Sequence, residues 1–138
     1  MEPTKNIKKF LKELKKLNLP KDKFAVFAGG VLAVRGLREV YDLDLVVLPE
    51  LWLELAKKYP VEKTEDGRGK IHFGENVEAV SQPSFGFKAQ EVIGKADIVG
   101  GIRFVNLGTM KKWKRKMGRK KDLQDVELME KYLKAGGE

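Results

Sequence analysis

Apolar residues recur at Ile7, Phe10, Leu11, Leu14 and Leu17, with lysines filling the positions between them. A stripe at that spacing marks one face of a helix, so residues 5 to 17 predict an amphipathic helix ended by Asn18-Leu19-Pro20. The pattern then tightens. KFAVFA, 23 to 28, is an apolar run of strand length, and Gly29-Gly30 turns it into a short helix through Val31, Leu32, Ala33 and Val34. DLDLVVL, 42 to 48, predicts the next strand, and Pro49 suits the first turn of a helix running to about Tyr59.

From Val61 to Ser81 short β-like runs alternate with glycine-containing turns at Asp66-Gly67 and Gly74, which predicts a meander of three strands. Residues 86 to 96 predict a helix, and IVGGIRFV predicts a hairpin or two short strands folded on Gly100-Gly101. Two helices close the chain, at about 107 to 117 and 121 to 134, with Gly118 ending the first and Gly136-Gly137 the second. The fold class is therefore α/β (α+β), mixed α and β with helices before, between and after the strands. No repeat or linker divides the chain, so residues 1–138 form a single domain.

Composition narrows the chemistry. There is no cysteine and one histidine, which excludes a disulfide framework and disfavours zinc; any metal would be a hard cation on oxygen ligands. No apolar stretch approaches the roughly 18 to 20 residues of a membrane span, and the N-terminus lacks a signal peptide's apolar core. These features place the chain in the cytoplasm, with no membrane partner. The net charge of +8 suggests affinity for polyanions.

The candidate chemistry lies between residues 27 and 48, FAGGVLAVRGLREVYDLDLVVL. On a strand Asp42 and Asp44 share a face, about 6 to 7 Å apart along the backbone, while Leu43 and Leu45 face the core. Two carboxylates so placed resist ionising together unless a cation sits between them, and Mg2+ resolves that conflict. Gly29-Gly30, at a strand-to-helix turn, lets the backbone approach an anion, and phosphate is the natural ligand. Neither the P-loop pattern nor G-x-G-x-x-G is present.

Eleven residues separate Gly30 from Asp42. Ala28-Gly29-Gly30 followed at that distance by Asp42-Leu43-Asp44-Leu45 resembles the signature of the DNA polymerase β-like nucleotidyltransferase superfamily. Val77-Glu78-Ala79 is similar to that family's third carboxylate segment, and WKRKMGRKKDLQD, 113 to 125, resembles the Lys-x4-Arg-x-Lys-Asp-x2-Asp region of its small prokaryotic members. The resemblance runs from about residue 23 to 134. Many active members carry serine where this chain has Gly30.

The resemblance implies a minimal nucleotidyltransferase fold, a central mixed β-sheet flanked by helices, and transfer of a nucleoside monophosphate from a nucleoside triphosphate, such as ATP, to an acceptor hydroxyl. It implies two Mg2+ ions, or Mn2+ on the same ligands, held by Asp42, Asp44 and Glu78, with Glu78 completing the site of the metal that activates the acceptor. Asp42 or Glu78 accepts the acceptor's proton, and Gly29 and Gly30 cradle the leaving pyrophosphate. Lys114, Arg119 and Lys121 match the family's nucleotide-binding pattern, with Asp122 and Asp125 pairing with them and orienting them. Arg35 and Arg38, between the glycines and the aspartates, are within reach of a triphosphate, and a surface role is the competing reading.

Glu39 reads as a structural partner, Trp52 as core, and His72 as a structural histidine near Glu78. For Trp113 and the rest of the eight basic residues of KKWKRKMGRKK, a solvated helix face competes with a polyanion surface. Two other functions stay open: a catalytically inactive nucleotidyltransferase-like module binding RNA or a protein, and a toxin–antitoxin component whose acceptor is transfer RNA or a partner protein. So short a chain leaves little room for recognising an acceptor, which points to a macromolecular acceptor across the surface or a homodimer completing the cleft.

Overall fold

The computed structural model describes residues 2–137. Helix α1 (Lys5–Lys16) leads into strand β1 (Phe24–Phe27), helix α2 (Gly29–Ala33), strand β2 (Leu43–Val47) and helix α3 (Pro49–Lys58). The meander follows as β3 (Glu62–Lys63), β4 (Gly69–Phe73) and β5 (Val77–Val80). Helix α4 (Ala89–Gly94), the hairpin β6 (Asp97–Val99) and β7 (Ile102–Phe104), and helices α5 (Leu107–Met117) and α6 (Lys120–Lys134) complete the chain.

The seven strands form one mixed sheet in the order β3-β4-β5-β2-β1-β7-β6. β1 runs antiparallel to β2 and parallel to β7, and β2 runs parallel to β5. Alternation along β2 gives the sheet two unlike faces. Leu43, Leu45 and Val47 are fully buried on one, continuous in the core with Ile7, Phe10 and Leu14 of α1. The opposite face carries Phe27, Asp44, Val46, Glu78 and Val80, with Lys70 and His72 in register beside them.

Glu39 ties the start of α1 to the segment ahead of β2. Its carboxylate accepts hydrogen bonds from Thr4 Oγ1 at 2.6 Å and from the backbone N–H groups of Asn6 and Val40. It thereby satisfies a helix-terminal donor that the Thr4 side chain does not cap. This is the structural role expected of Glu39.

Three boundaries near the site differ from the sequence reading, the first being that β2 starts at Leu43, so Asp42, expected on the strand, lies in the bend just before it. The helix predicted from residue 86 starts at Ala89, because Phe85 and Gly86 both adopt positive φ in the preceding turn. The glycine pair is not the turn after β1. The turn falls on Ala28, at φ 60° and ψ −135°, while Gly29 and Gly30 are already helical. No helix among the described residues is long and apolar enough to cross a membrane.

Candidate active site

Strand pairing assembles the acidic cluster. Asp44 and Glu78 are direct register partners across β2 and β5, and Asp42 lies just ahead of β2 on the same side as Asp44. Each of the three can offer a carboxylate oxygen, and these oxygens lie within 4.8 Å of one another. The three carboxylates singled out from sequence thus meet in space.

The cluster is electrostatically strained without a counter-charge. Burial, then a hydrogen bond with Glu78 and the charges of Asp42 and Glu78, push the Asp44 carboxyl up to about 9. Burial and the Glu78 charge also raise Asp42, opposed by Lys70, Lys121 and Arg38. A divalent cation among these oxygens would remove the repulsion. Three carboxylates with no sulfur or imidazole ligand among them suit a hard ion such as Mg2+, so the residues fit the metal that the resemblance implies.

Glu78 is also held from the side of β4. Lys70 Nζ lies 3.7 Å from Glu78 Oε1, and His72 Nδ1 lies 3.4 Å from Glu78 Oε2. His72 Nε2 in turn meets Glu62 Oε2 at 3.0 Å, so a polar ladder crosses four strands from Asp44 to Glu62. His72 is an exposed member of this ladder rather than a core residue. Sequence reading missed Lys70, although the hairpin contained the signal. With Gly74-Glu75-Asn76 as the loop, Phe73 pairs with Val77, His72 with Glu78 and Lys70 with Val80, placing Lys70 and His72 on the Glu78 face.

The two glycines act through their missing side chains. A Cβ on Gly30 would lie 2.5 Å from Val26 Cγ1 and 3.2 Å from Leu43 Cδ1, so that position faces the core. A serine hydroxyl there would not reach the acidic cleft without displacing those groups. A Cβ on Gly29 would meet the Arg38 guanidinium at 3.3 Å. Gly29 and Ala28 line a cavity beside the carboxylates, and Gly30 does not.

Arg38 is fixed over Gly29 by a bidentate pair with Asp125, at 2.6 and 2.8 Å, and donates to the Glu39 carbonyl at 2.9 Å. Asp125 also meets Lys114 Nζ at 3.0 Å, and Lys114 reaches Asp122 at 3.3 Å. Asp122 pairs with Arg119 Nε at 2.6 Å and accepts from the Arg119 backbone N–H at the start of α6. Burial alone would raise Asp122 and Asp125. The hydrogen bonds and charges of Arg119, Arg38 and Lys114 outweigh it and hold both below the usual carboxylate range. The pairing expected of Asp122 and Asp125 is therefore present with Lys114 and Arg119, while Asp125 takes Arg38 as its second cation in place of the expected Lys121, and the network clips α5, α6 and the Arg38 segment together.

Arg35 is the exception among the cations. It is buried, donates to the Val31 carbonyl at 2.9 Å and pairs with Asp97 at 3.0 Å, and it lines neither cavity at the carboxylates. Its place one helical turn beyond Val31 turns it toward β6, which sequence spacing from the aspartates did not show. Lys114, although beside the cleft, is buried between two aspartates. Arg119 and Lys121 reach the cleft.

Two cavities meet at Asp44. One, of about 610 Å3, is lined by Gly29, Arg38, Asp42, Lys121 and the exposed Tyr41. The other, of about 690 Å3, is lined by Glu78, Lys70, Arg68, Phe85 and Met117. Trp113 and Arg119 border both. Trp113 is neither plain core nor a free stacking surface: it meets Phe27 edge-on at 5.8 Å and donates from Nε1 to Ser84 Oγ at 2.8 Å. Trp52, expected in the core, is partly buried and packs over Gly69 against the core's edge.

No protein-family model matches the chain, and no curated protein matches it. Among solved structures it is similar to a crystal structure of "a putative nucleotidyltransferase" from Thermotoga maritima. The two share 18% identity and superpose with a TM-score of 0.60 over 98% of this chain and 96% of the other. Over its described residues the chain has a nucleotidyltransferase-like fold, a mixed seven-stranded sheet with six helices, and an acidic triad able to hold a metal ion at its cleft.

Proposed function

We propose that this protein is a Mg2+-dependent nucleotidyltransferase, transferring a nucleoside monophosphate from a nucleoside triphosphate to an acceptor hydroxyl. The observation that carries this reading is the convergence of Asp42, Asp44 and Glu78, whose carboxylate oxygens lie within 4.8 Å of one another at the junction of two cavities. The nucleotidyltransferase-like fold supports it.

Asp42, Asp44 and Glu78 hold the metal, with two ions expected. Bound there, Mg2+ supplies charge stabilisation to the attacking and leaving oxygens of an in-line displacement at phosphorus. The triphosphate occupies the cavity lined by Gly29, Asp42 and Lys121, where Lys121 and Arg119 offset phosphate charge. Arg38, already paired with Asp125, shapes that wall more than it binds. The acceptor enters the cavity lined by Glu78 and Trp113.

In the reaction the acceptor oxygen forms a bond to the α-phosphorus as the bond to pyrophosphate breaks. The acceptor's proton passes to a carboxylate, Asp42 or Glu78. Binding and turnover of labelled nucleoside triphosphates with Mg2+, in wild type and in the double variant Asp42→Ala plus Asp44→Ala, test this reading. Loss of both in the variant is expected, and equal nucleotide and metal binding by the two proteins overturns it.

A further inference from the structure

Tyr41 lines the cavity that also contains Gly29, Asp42 and Lys121, and the residue is 81% exposed. A single exposed aromatic is ordinary on a protein surface. This one differs in how firmly its backbone is held. Glu39 is bonded to Thr4 and to the Asn6 N–H, the Val40 carbonyl accepts from Asn6 Nδ2 at 2.8 Å, and the Leu43 N–H donates to the Asn76 carbonyl at 2.7 Å. Pinned on both sides, the chain fixes the Tyr41 backbone at the cavity mouth, so that a ligand has only the side-chain rotamer left to order.

Resting on the nucleotidyltransferase reading above, we propose that Tyr41 is the stacking platform for the base of the bound nucleotide. With its α-phosphate at the Asp42 carboxylate, as the proposed reaction requires, a triphosphate in this cavity carries its nucleoside beside Asp42, and Tyr41 is the residue before Asp42 in the lining of the same cavity. An aromatic face accepts any base by stacking, and it favours the larger purine ring. The site therefore prefers purine nucleoside triphosphates, by ring area rather than by hydrogen-bond readout.

The test compares Mg2+-dependent binding of ATP, CTP and inorganic tripolyphosphate to wild type, Tyr41→Ala and Tyr41→Phe by calorimetry. Because the ring is exposed, neither substitution disturbs the core. Wild type should bind ATP more tightly than CTP. Tyr41→Ala should weaken ATP roughly tenfold while leaving tripolyphosphate unchanged, and Tyr41→Phe should retain the wild-type affinity. Equal ATP affinity in wild type and Tyr41→Ala, or an equal loss for tripolyphosphate, overturns the stacking role and leaves the nucleotide site standing. Failure of wild type to bind either ATP or tripolyphosphate overturns the nucleotide reading, and the stacking role falls with it.

Discussion

Asp44 on β2 and Glu78 on β5 are register partners in a parallel strand pair, so two carboxylates 34 positions apart in the chain are held side by side by backbone hydrogen bonds. A one-residue slip in that register would turn Glu78 to the opposite face and dissolve the cluster. The pairing is secured by apolar neighbours on either side, Leu43 with Val77 and Leu45 with Ala79, all buried. Core packing thus sets the geometry of the acidic site.

That geometry destabilises the metal-free protein. Burial, Glu78 and Asp42 raise Asp44 from 3.8 to about 9, so the folded state binds this proton more tightly than the unfolded state. The sign follows: the contribution of a raised carboxyl is full below its unfolded value and is lost as pH rises through its folded value. The metal-free protein should therefore lose stability between pH 5.5 and 8, about the middle of that window. Asp44→Asn should flatten the slope and raise stability at pH 8 by ~2 kcal/mol while abolishing metal binding. Thermal melts in chelator across pH read this directly, and a variant melting no higher than wild type at pH 8 counts against it.

The same shift governs metal binding. Below about pH 9 an ion entering the site displaces the Asp44 proton, so Mg2+ affinity should rise with pH, by up to roughly tenfold per unit, and protons should be released. Calorimetric titration in two buffers of different ionisation heat measures the release. Affinity that is flat from about pH 6 to 8 would mean that Asp44 is ionised before the metal arrives.

Much of this arrangement was legible in the sequence, because strand alternation alone puts Asp44 opposite Leu43 and Leu45, and the hairpin at Gly74 sets the partners of Glu78. The element order followed from apolar periodicity and turn residues, whereas the mixed sheet was what the family resemblance implied. What local pattern could not give was the direction of each long side chain. Arg35 and Arg38 are three residues apart, yet one is buried against Asp97 and the other lies over Gly29. The reason for the glycines was likewise hidden, since it rests on Val26, Leu43 and Arg38, which are adjacent only after folding.

The two glycines should accordingly fail in different ways. Gly30→Ser sets a Cβ against Val26 and Leu43 and should destabilise by about 1 to 3 kcal/mol. Gly29→Ala meets only the Arg38 guanidinium at 3.3 Å, so the fold should survive while nucleotide affinity drops as Arg38 is displaced. Denaturant unfolding together with nucleotide titration separates the two. A stable, fully binding Gly30→Ser protein would show that the core at this turn yields easily.

The cations of the C-terminal region should divide between stability and binding. Lys114 is buried between Asp122 and Asp125, and Lys114→Ala leaves two buried carboxylates short of a partner, a loss of about 3 to 5 kcal/mol. Lys121 is exposed on the cavity wall, and Lys121→Ala should leave the melting temperature unchanged and weaken nucleotide binding with a strong salt dependence. If Lys121→Ala melts far below wild type, the division is wrong.

The turn that delivers Gly29 to the cleft rests on a strained residue. Ala28 follows the last residue of β1, precedes α2, and holds φ 60° and ψ −135°, a region that a Cβ disfavours. Such a residue costs about 1 to 3 kcal/mol and persists because its surroundings fix it. Here the surroundings are the pairing of Phe27 with Asp44 on one side and, on the other, Gly30 packed against Val26. Ala28→Gly relieves the strain and gives back about 0.5 to 1 kcal/mol through the freer unfolded chain, so a net gain near ~1 kcal/mol is expected. The looser turn should at the same time bind nucleotide less tightly, because Gly29 and the Arg38 guanidinium above it lose their fixed position. Unfolding and binding measured on one preparation check both halves. A gain in stability with unchanged affinity would mean that the strain at Ala28 serves the fold and not the site.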